Sequence, residues 1–154
     1  MKTNSKMVVC GAAALLSVSL AAPAAAQNCW NGAAVKAAKV RDMQTLLMVG
    51  ALQCRSTAHD VLGHYNRFVK THRAAISAHN DILKTHFVRA GKARDYDRFA
   101  TAMANGHSAG AGNPAFCKET AALAEQVAGL SRSEVEAIAD RMFTAPKGVG
   151  RTCS

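Results

Sequence analysis

The sequence predicts an all-α fold: a single-domain bundle of about five helices held together by two disulfide bonds. Apolar residues recur at the spacing of amphipathic helices, and there is almost no apolar–polar alternation of the kind that marks strands. Four cysteines follow residue 26, and an even number of cysteines is typical of an exported domain with disulfides. These two observations together favour a small helical core stabilised covalently.

The first 26 residues have the pattern of a secretory signal peptide. Lys2 and Lys6 supply the positive start, residues 7–20 form the apolar stretch, and small residues then permit cleavage after Ala26. A retained membrane anchor is the alternative, since the apolar stretch is nearly long enough to span a bilayer. We expect cleavage, which leaves a helical domain over residues 27–154 in the periplasm or secreted, with no transmembrane segment.

The cysteines of the expected mature chain can pair in three ways. We favour a Cys29–Cys153 bond, which ties the two termini, and a Cys54–Cys117 bond, which joins the end of the first helix to a later one. A metal site is the alternative, but no CxxC motif or cysteine–histidine pair has ligand spacing. No metal and no cofactor is therefore expected.

The first half of this domain contains signals for two helical stretches. The first runs from about Ala33 to Cys54, with Asn31 as a suitable N-cap. The second starts near Ser56 or Thr57 and runs to about residue 90, because Gly91 is a typical terminator. A break near residues 71–77 would divide this second stretch into two helices.

The second half contains signals for three more helices. One covers about residues 95–105 with Asp95 as its cap, and a glycine-rich stretch follows at residues 106–112. Pro114 then opens the next helix at a first-turn position. Ser131 and Glu134 have the spacing of a capping box, which begins a last helix that runs to about residue 143.

The second stretch carries a row of polar aromatic side chains along the middle of its apolar face. Its members recur every seven residues: Tyr65, His72, His79 and His86. Residues seven apart lie about 10.5 Å apart along a helix axis, so these histidines cannot share one ion. We interpret them mainly as half-buried side chains that hydrogen-bond across the bundle. A pH-responsive role, or a metal- or haem-responsive one with ligands from another helix, is the alternative.

Basic residues exceed acidic ones. The formal net charge is +9, and two of these charges belong to the leader, so the mature chain carries +7. The densest basic group follows the histidine row and comprises Lys84, Arg89, Lys92, Arg94 and Arg98. Such a surface attracts anionic lipid head groups or lipopolysaccharide phosphates. Nucleic acid is not expected, because the chain has no stacking module and is expected to be exported.

Motifs for catalysis are weak. The chain is too short for a TIM barrel or a two-domain dehydrogenase, and it contains no G-x-S-x-G elbow. Gly110-x-Gly112-x-x-Ala115 matches a loose dinucleotide fingerprint, but no strand precedes it. Asp60 with His64, and the acidic residues 95 and 97, are candidates for acid–base work, although capping explains them more simply. We assign no catalytic residue.

Several short segments resemble a group of small uncharacterised exported helical proteins of Gram-negative bacteria that contain four cysteines. These segments are Cys29-Trp30, the run LLMVGALQCR at Leu46–Arg55, Tyr65-Asn66-x-Phe68, Asn80-x-x-Leu83-Lys84-x-x-Phe87 and Tyr96-Asp97-x-Phe99. The resemblance covers most of residues 29–120 and implies export and a helical fold, without a mechanism. Some members carry the label S-adenosyl-L-homocysteine hydrolase, an enzyme that is far longer and uses an NAD-binding domain.

The sequence therefore predicts a non-enzymatic periplasmic or secreted accessory or binding protein. Its basic surface would bind an anionic envelope component or an envelope protein. Two alternatives are a small periplasmic hydrolase that uses histidine and aspartate from different helices, and the metal- or haem-responsive protein based on the histidine row.

Overall fold

A computed structural model describes residues 29–110 and 113–153 and confirms the all-α fold. These residues form six helices: α1 (Gly32–Gln53), α2 (Val61–Thr71), α3 (Arg73–Arg89), α4 (Asp95–Ser108), α5 (Pro114–Ala128) and α6 (Arg132–Met142). Within the described ranges, β pairing is limited to one isolated parallel bridge between Trp30 and Thr152. No helix among them is long and apolar enough to cross a membrane. The predicted signal peptide lies outside the described residues.

Both predicted disulfides are present. Cys29 is bonded to Cys153 across 124 positions of sequence, and Cys54 is bonded to Cys117 across 63 positions. The first bond lies beside the Trp30–Thr152 bridge, where the Trp30 amide donates to the Arg151 carbonyl at 2.8 Å. The C-terminal tail is therefore attached to the start of α1 by both covalent and hydrogen bonds.

Three of the predicted helix starts are confirmed by their caps. The Asn31 side chain accepts a hydrogen bond from the Ala34 amide at 2.8 Å, which begins α1. Pro114 occupies the first turn of α5. The Ser131 and Glu134 side chains form the reciprocal capping box of α6. Each cap satisfies amides that the first turn leaves without helical partners, so these starts are readable from sequence.

The predicted start of the second helix is wrong. Residues 55–60 form turns, and α2 begins at Val61 with Asp60 as its cap, whose carboxylate accepts from the Gly63 amide at 2.9 Å. Thr57 instead donates its hydroxyl to the Cys54 carbonyl at 2.8 Å, and so satisfies an acceptor at the end of α1. Threonine often caps the start of a helix, but Thr57 caps the end of the preceding helix, α1.

Residues 56–90 contain two helices, which accounts for six helices where about five are predicted. His72 separates α2 from α3 with φ −103° and ψ 16°, yet its amide still bonds to the Phe68 carbonyl and its carbonyl to the Ile76 amide, both at 2.9 Å. Its ring Nε2 donates to the Val127 carbonyl at 2.9 Å from a buried position. This tertiary hydrogen bond holds the junction, and no glycine or proline marks it.

The predicted bounds of the third helix also differ from the structure. Arg94 takes the N-cap position of α4, and Asp95 is its first helical residue. The helix extends beyond residue 105 to Ser108 and includes Gly106 and His107, which the glycine-rich composition assigned to a loop. The extension is held by His107, whose Nε2 lies 2.6 Å from Oδ1 of Asp42 on α1.

Helix α1 is the centre of the bundle, with the other five helices packed around it. The main core cluster joins its Met43 and Leu47 to Phe68 of α2 and to residues of α5 and α6. A second, aromatic cluster surrounds Trp30 and includes Phe87 of α3 and Phe99 of α4. Because α1 is covered on many sides, its buried positions include polar Asp42 and Thr45 as well as alanines.

Candidate binding site

The row predicted on the second stretch faces inward, but each member has a different neighbour. Tyr65 hydrogen-bonds to the Gln44 side chain, and burial raises the pKa of its hydroxyl. His72 and His79 are buried, whereas His86 is half-buried. Within the described part of the chain, no three His, Cys, Asp or Glu side chains lie together as a metal-ligand group. The row is therefore a series of separate contacts and not one site.

His79 belongs to a polar network between α3 and α6. Its Nε2 lies 3.0 Å from Oε1 of Glu136, and the same oxygen accepts a hydrogen bond from Arg132 at 2.7 Å. The other carboxylate oxygen, Oε2, lies 3.8 Å from the Lys36 ammonium. Burial lowers the pKa of His79, and the hydrogen bond to Glu136 opposes that shift only in part. The adjacent cavity is about 10 Å³. This cavity has room for about one water molecule and is too small for a larger ligand. The network around His79 is therefore a structural contact between helices.

Burial raises the pKa of Glu136, but the hydrogen bonds from Arg132 and His79 lower it by more, and the net shift is downward. The lowered pKa favours the ionised carboxylate, which forms a salt bridge with the guanidinium of Arg132. Together with His79, these side chains connect α3 to α6.

A second histidine–carboxylate pair was missed by sequence reasoning. His107 on α4 and Asp42 on α1 are 65 positions apart, and their 2.6 Å contact is largely shielded, with Asp42 7% exposed. The one signal in the sequence is an acidic residue among the apolar positions of α1. Because a carboxylate is rarely buried without a partner, the position of Asp42 predicts a cation or hydrogen-bond donor from another helix.

The acid–base candidates named from the sequence have structural roles. Asp60 caps α2, and Asp95 pairs with Arg98 at 3.2 Å. Neither is paired with a histidine side chain. Two histidine–carboxylate pairs are present among the described residues, His79 with Glu136 and His107 with Asp42. In each pair the two side chains come from different helices, as the hydrolase alternative requires.

The predicted basic patch is exposed at all five positions: Lys84, Arg89, Lys92, Arg94 and Arg98. The turn between α3 and α4 brings it together, because Gly91 adopts φ +69° and the Lys92 amide donates to the Phe87 carbonyl at 2.8 Å. This is a Schellman cap, which needs a left-handed residue and favours glycine there. Across the turn, the Lys84 ammonium lies 6.0 Å from the centre of the Tyr96 ring.

Two of these basic residues line a cleft of about 370 Å³, which we call the aromatic cleft. Lys92 and Arg98 lie along it together with Trp30, His86 and Phe99. The His86 and Trp30 rings are in contact, with centroids 4.1 Å apart and ring planes inclined by 36°. Burial lowers the pKa of His86.

The tail forms the other side of the aromatic cleft. Gly148 and Gly150 line it, and Gly148 has φ +89°. A Cβ at Gly148 would lie 2.8 Å from the Phe99 ring, so the tail can approach the aromatic cluster only with glycine there. The Cys29–Cys153 disulfide therefore holds a segment that shapes this cleft.

A larger concavity of about 650 Å³, the α1–α3 cleft, lies on the other side of His86. It is bounded by the start of α1 and by α3, and both cysteines of the Cys29–Cys153 bond line it. Arg89 belongs to this cleft as well as to the basic patch. His86 lines both clefts, so the two concavities are neighbours at the same end of the bundle.

Comparisons with known proteins produced no match: no family model, no curated protein and no solved structure corresponds to this chain. The function of this end of the molecule has to be inferred from its own shape and charge.

Proposed function

We propose that this protein is a non-enzymatic binding protein of the periplasm or of the secreted fraction. Its basic patch and aromatic cleft would bind the phosphate groups of an anionic envelope component. The observation that carries the proposal is the position of Lys92 and Arg98 along one cleft whose other lining residues include Trp30 and Phe99.

The local charges support an anion at this position. Lys92, Arg89 and Arg94 form no ion pair among the described residues, and Arg98 has one carboxylate partner, Asp95, at 3.2 Å. The Arg98 side chain is 83% exposed, so this pair is solvent-screened and easily exchanged for a stronger anion. Asp95 also lines the aromatic cleft and offsets part of the charge of Arg98, so Lys92 is the basic side chain of this cleft that has no ion pair among the described residues. Unpaired basic side chains beside a concave surface attract phosphate at long range and hold it by hydrogen bonds.

The disulfides support the compartment. Two disulfides in a small domain are expected where thiols are oxidised, and bacterial envelopes and extracellular fluids meet this condition. Anionic head groups and lipopolysaccharide phosphates are abundant in envelopes. The expected location and the expected ligand are therefore compatible.

Vesicle binding tests the proposal. We expect the mature protein to co-sediment with phosphatidylglycerol-containing vesicles but not with pure phosphatidylcholine vesicles. Binding should weaken as the salt concentration is raised. Each basic side chain near an anionic surface contributes about 1 kcal/mol. Lys92→Ala/Arg98→Ala should therefore weaken binding about 10- to 30-fold.

The matched control is Lys70→Ala/Arg73→Ala, which removes the same charge from two exposed positions outside the cleft. It should weaken binding by less than the cleft variant does. Equal losses in both variants would show attraction by net charge alone, and salt-independent or absent binding would contradict the proposal.

A further inference from the structure

The α1–α3 cleft has an apolar floor and an unusual arrangement of charge. Ala34 from α1 and Ala78 and Ile82 from α3 provide the apolar surface. Two side chains of opposite charge on α3, Asp81 and Arg89, also line it. They are eight residues apart, which corresponds to about 12 Å along a helix axis. One end of the cleft is therefore acidic and the other basic.

Neither charged side chain is engaged elsewhere. Asp81 and Arg89 are exposed, and neither side chain has a hydrogen bond or ion pair with another described residue. Their separation along the helix is too large for a direct pair. Thr85 lies midway between them in sequence and also lines the cleft. A ligand that matches this wall carries a cation and an anion about 12 Å apart.

These requirements select one chemical class. A fatty acyl chain would leave Asp81 without a partner, and a zwitterionic phospholipid head group carries its two charges too close together. An extended peptide advances about 3.3–3.6 Å per residue, so three or four residues span the distance between the charges. Its terminal amine and carboxylate supply the two charges, and its backbone can bond to Thr85.

We propose that the α1–α3 cleft binds short peptides in extended form, with the amino terminus at Asp81 and the carboxyl terminus at Arg89. The peptide site shares Arg89 with the basic patch proposed above to bind phosphate, whereas Lys92 and Arg98, which line the aromatic cleft, lie outside the α1–α3 cleft. It adds a second kind of ligand at the same end of the bundle.

The probe is tetra-alanine, titrated into the isotopically labelled mature protein at pH 7 and followed by amide chemical shifts. We expect saturable shifts at Ala78, Ile82 and Thr85. N-acetyl and C-amide forms of the peptide each lose one terminal charge. Because solvent-exposed ion pairs are worth about 0.2–1 kcal/mol, each blocked form should bind about 1.4- to fivefold more weakly.

Variants assign each terminus to its partner. In Asp81→Asn, free and N-acetylated peptides should bind equally, while the loss on amidation persists. In Arg89→Gln, the loss on amidation should disappear and the loss on acetylation should persist. Asp97→Asn and Arg73→Gln are the matched controls, since both positions are exposed and outside the cleft, and they should reproduce the wild-type pattern.

Three results would overturn the peptide proposal: no saturable shift in the cleft at millimolar peptide, equal binding of free and blocked peptides, or unchanged losses in both cleft variants. Vesicle binding by Asp81→Asn separates this outcome from a failure of the proposed function, since the variant leaves Lys92 and Arg98 in place.

Discussion

Each end of the bundle contains one disulfide, and the surroundings of the two bonds differ. We call the end with Cys54–Cys117 the closed end and the end with Cys29–Cys153 the open end. At the closed end, Cys54 is 1% exposed and Cys117 3% exposed, and both belong to a hydrophobic cluster with Val61. At the open end, Cys29 is half-buried and Cys153 is exposed, and both line the α1–α3 cleft. One disulfide is part of a core, and the other is part of a surface.

From this difference we expect the closed end to contribute mainly to stability and the open end mainly to binding. The closed end buries its disulfide beside one cleft of about 320 Å³, which is lined by Arg55, His59 and Asp60 among others. The open end carries the two larger clefts and the basic patch. The tail that Cys153 anchors forms a side of the aromatic cleft through Gly148 and Gly150. Apart from loss of the disulfides themselves, side-chain changes at the closed end should therefore affect mainly unfolding, and side-chain changes at the open end should affect ligands more than unfolding.

The largest expected effects come from the disulfides. The loop-entropy treatment gives about 4–5 kcal/mol for loops of this length. Cys54→Ala/Cys117→Ala and Cys29→Ala/Cys153→Ala should each lower the free energy of unfolding by that order, as measured by urea denaturation of the mature protein. A loss below about 1 kcal/mol in either variant would contradict the tying role of that bond.

Rates of reduction should distinguish the two bonds even where their stabilities agree. Thiol–disulfide exchange requires access to sulfur, so dithiothreitol should open Cys29–Cys153 in the folded protein. The buried Cys54–Cys117 bond should react only as the protein unfolds. Timed alkylation with peptide mass mapping measures both rates, and equal rates under native conditions would remove the distinction between the ends.

The next effect concerns packing at the closed end. A Cβ at Gly50 of α1 would lie 2.5 Å from Cγ2 of Thr120 and 3.2 Å from Cγ1 of Val61. Gly50→Ala should therefore cost about 1–3 kcal/mol, because inserted atoms force a packed core to shift. Gly32→Ala, in the first turn of the same helix, is the control, since nothing lies within 4 Å of its Cβ. An unchanged urea midpoint for Gly50→Ala would contradict this prediction, because it would show that Thr120 and Val61 can move aside without loss of stability.

Sequence reasoning succeeds for this protein where a local interaction decides the structure. The Asn31 cap, Pro114 and the Ser131–Glu134 capping box lie within a few residues of the amides that they satisfy, and each is confirmed. The two cysteine pairs are also confirmed, because helix order and the position of the termini favour them among the three connectivities.

It is incomplete where a distant non-covalent partner decides the structure. The sequence leaves a break near residues 71–77 open, and the bond from His72 to the Val127 carbonyl, 55 positions away, holds that junction. The end of α4 is held by the contact of His107 with Asp42, which the sequence does not identify. Periodicity orients a side chain inward but does not identify what it meets. The clefts are likewise tertiary features. The basic patch was recognisable as a charge cluster with Phe87, Tyr96 and Phe99 interspersed, but the position of Trp30 beside it was not.

The buried histidine network provides a smaller, pH-dependent effect. Burial lowers the pKa of His79 in the folded state, so the unfolded chain binds more protons as pH falls below about 6.5. Stability should decline as pH drops from 6.5 through the folded-state pKa. His79→Gln should flatten this decline in thermal unfolding between pH 5 and 7. An identical slope in the variant would contradict it.

His86 provides the same test at the open end, because burial also lowers its pKa. Its ring contacts Trp30 and pairs with no carboxylate among the described residues. Glu136 acts in a separate window: its pKa is lowered in the folded state, so the stability that it contributes is lost as pH falls below about 4.5. Measurements above pH 5 therefore report mainly on the histidines.

The smallest effect on unfolding is expected at Arg98, whose side chain is 83% exposed and whose pair with Asp95 is screened by solvent. Arg98→Ala should change the free energy of unfolding by less than about 0.5 kcal/mol, while it weakens binding to phosphatidylglycerol vesicles. Lys39→Ala is the structural counterpart, because Lys39 is 14% exposed and bonds to Asp140 at 2.7 Å. It should lower stability more than Arg98→Ala and leave vesicle binding closer to wild type. The reverse pattern, with Arg98 governing unfolding and Lys39 governing vesicle binding, would place the binding surface away from the open end.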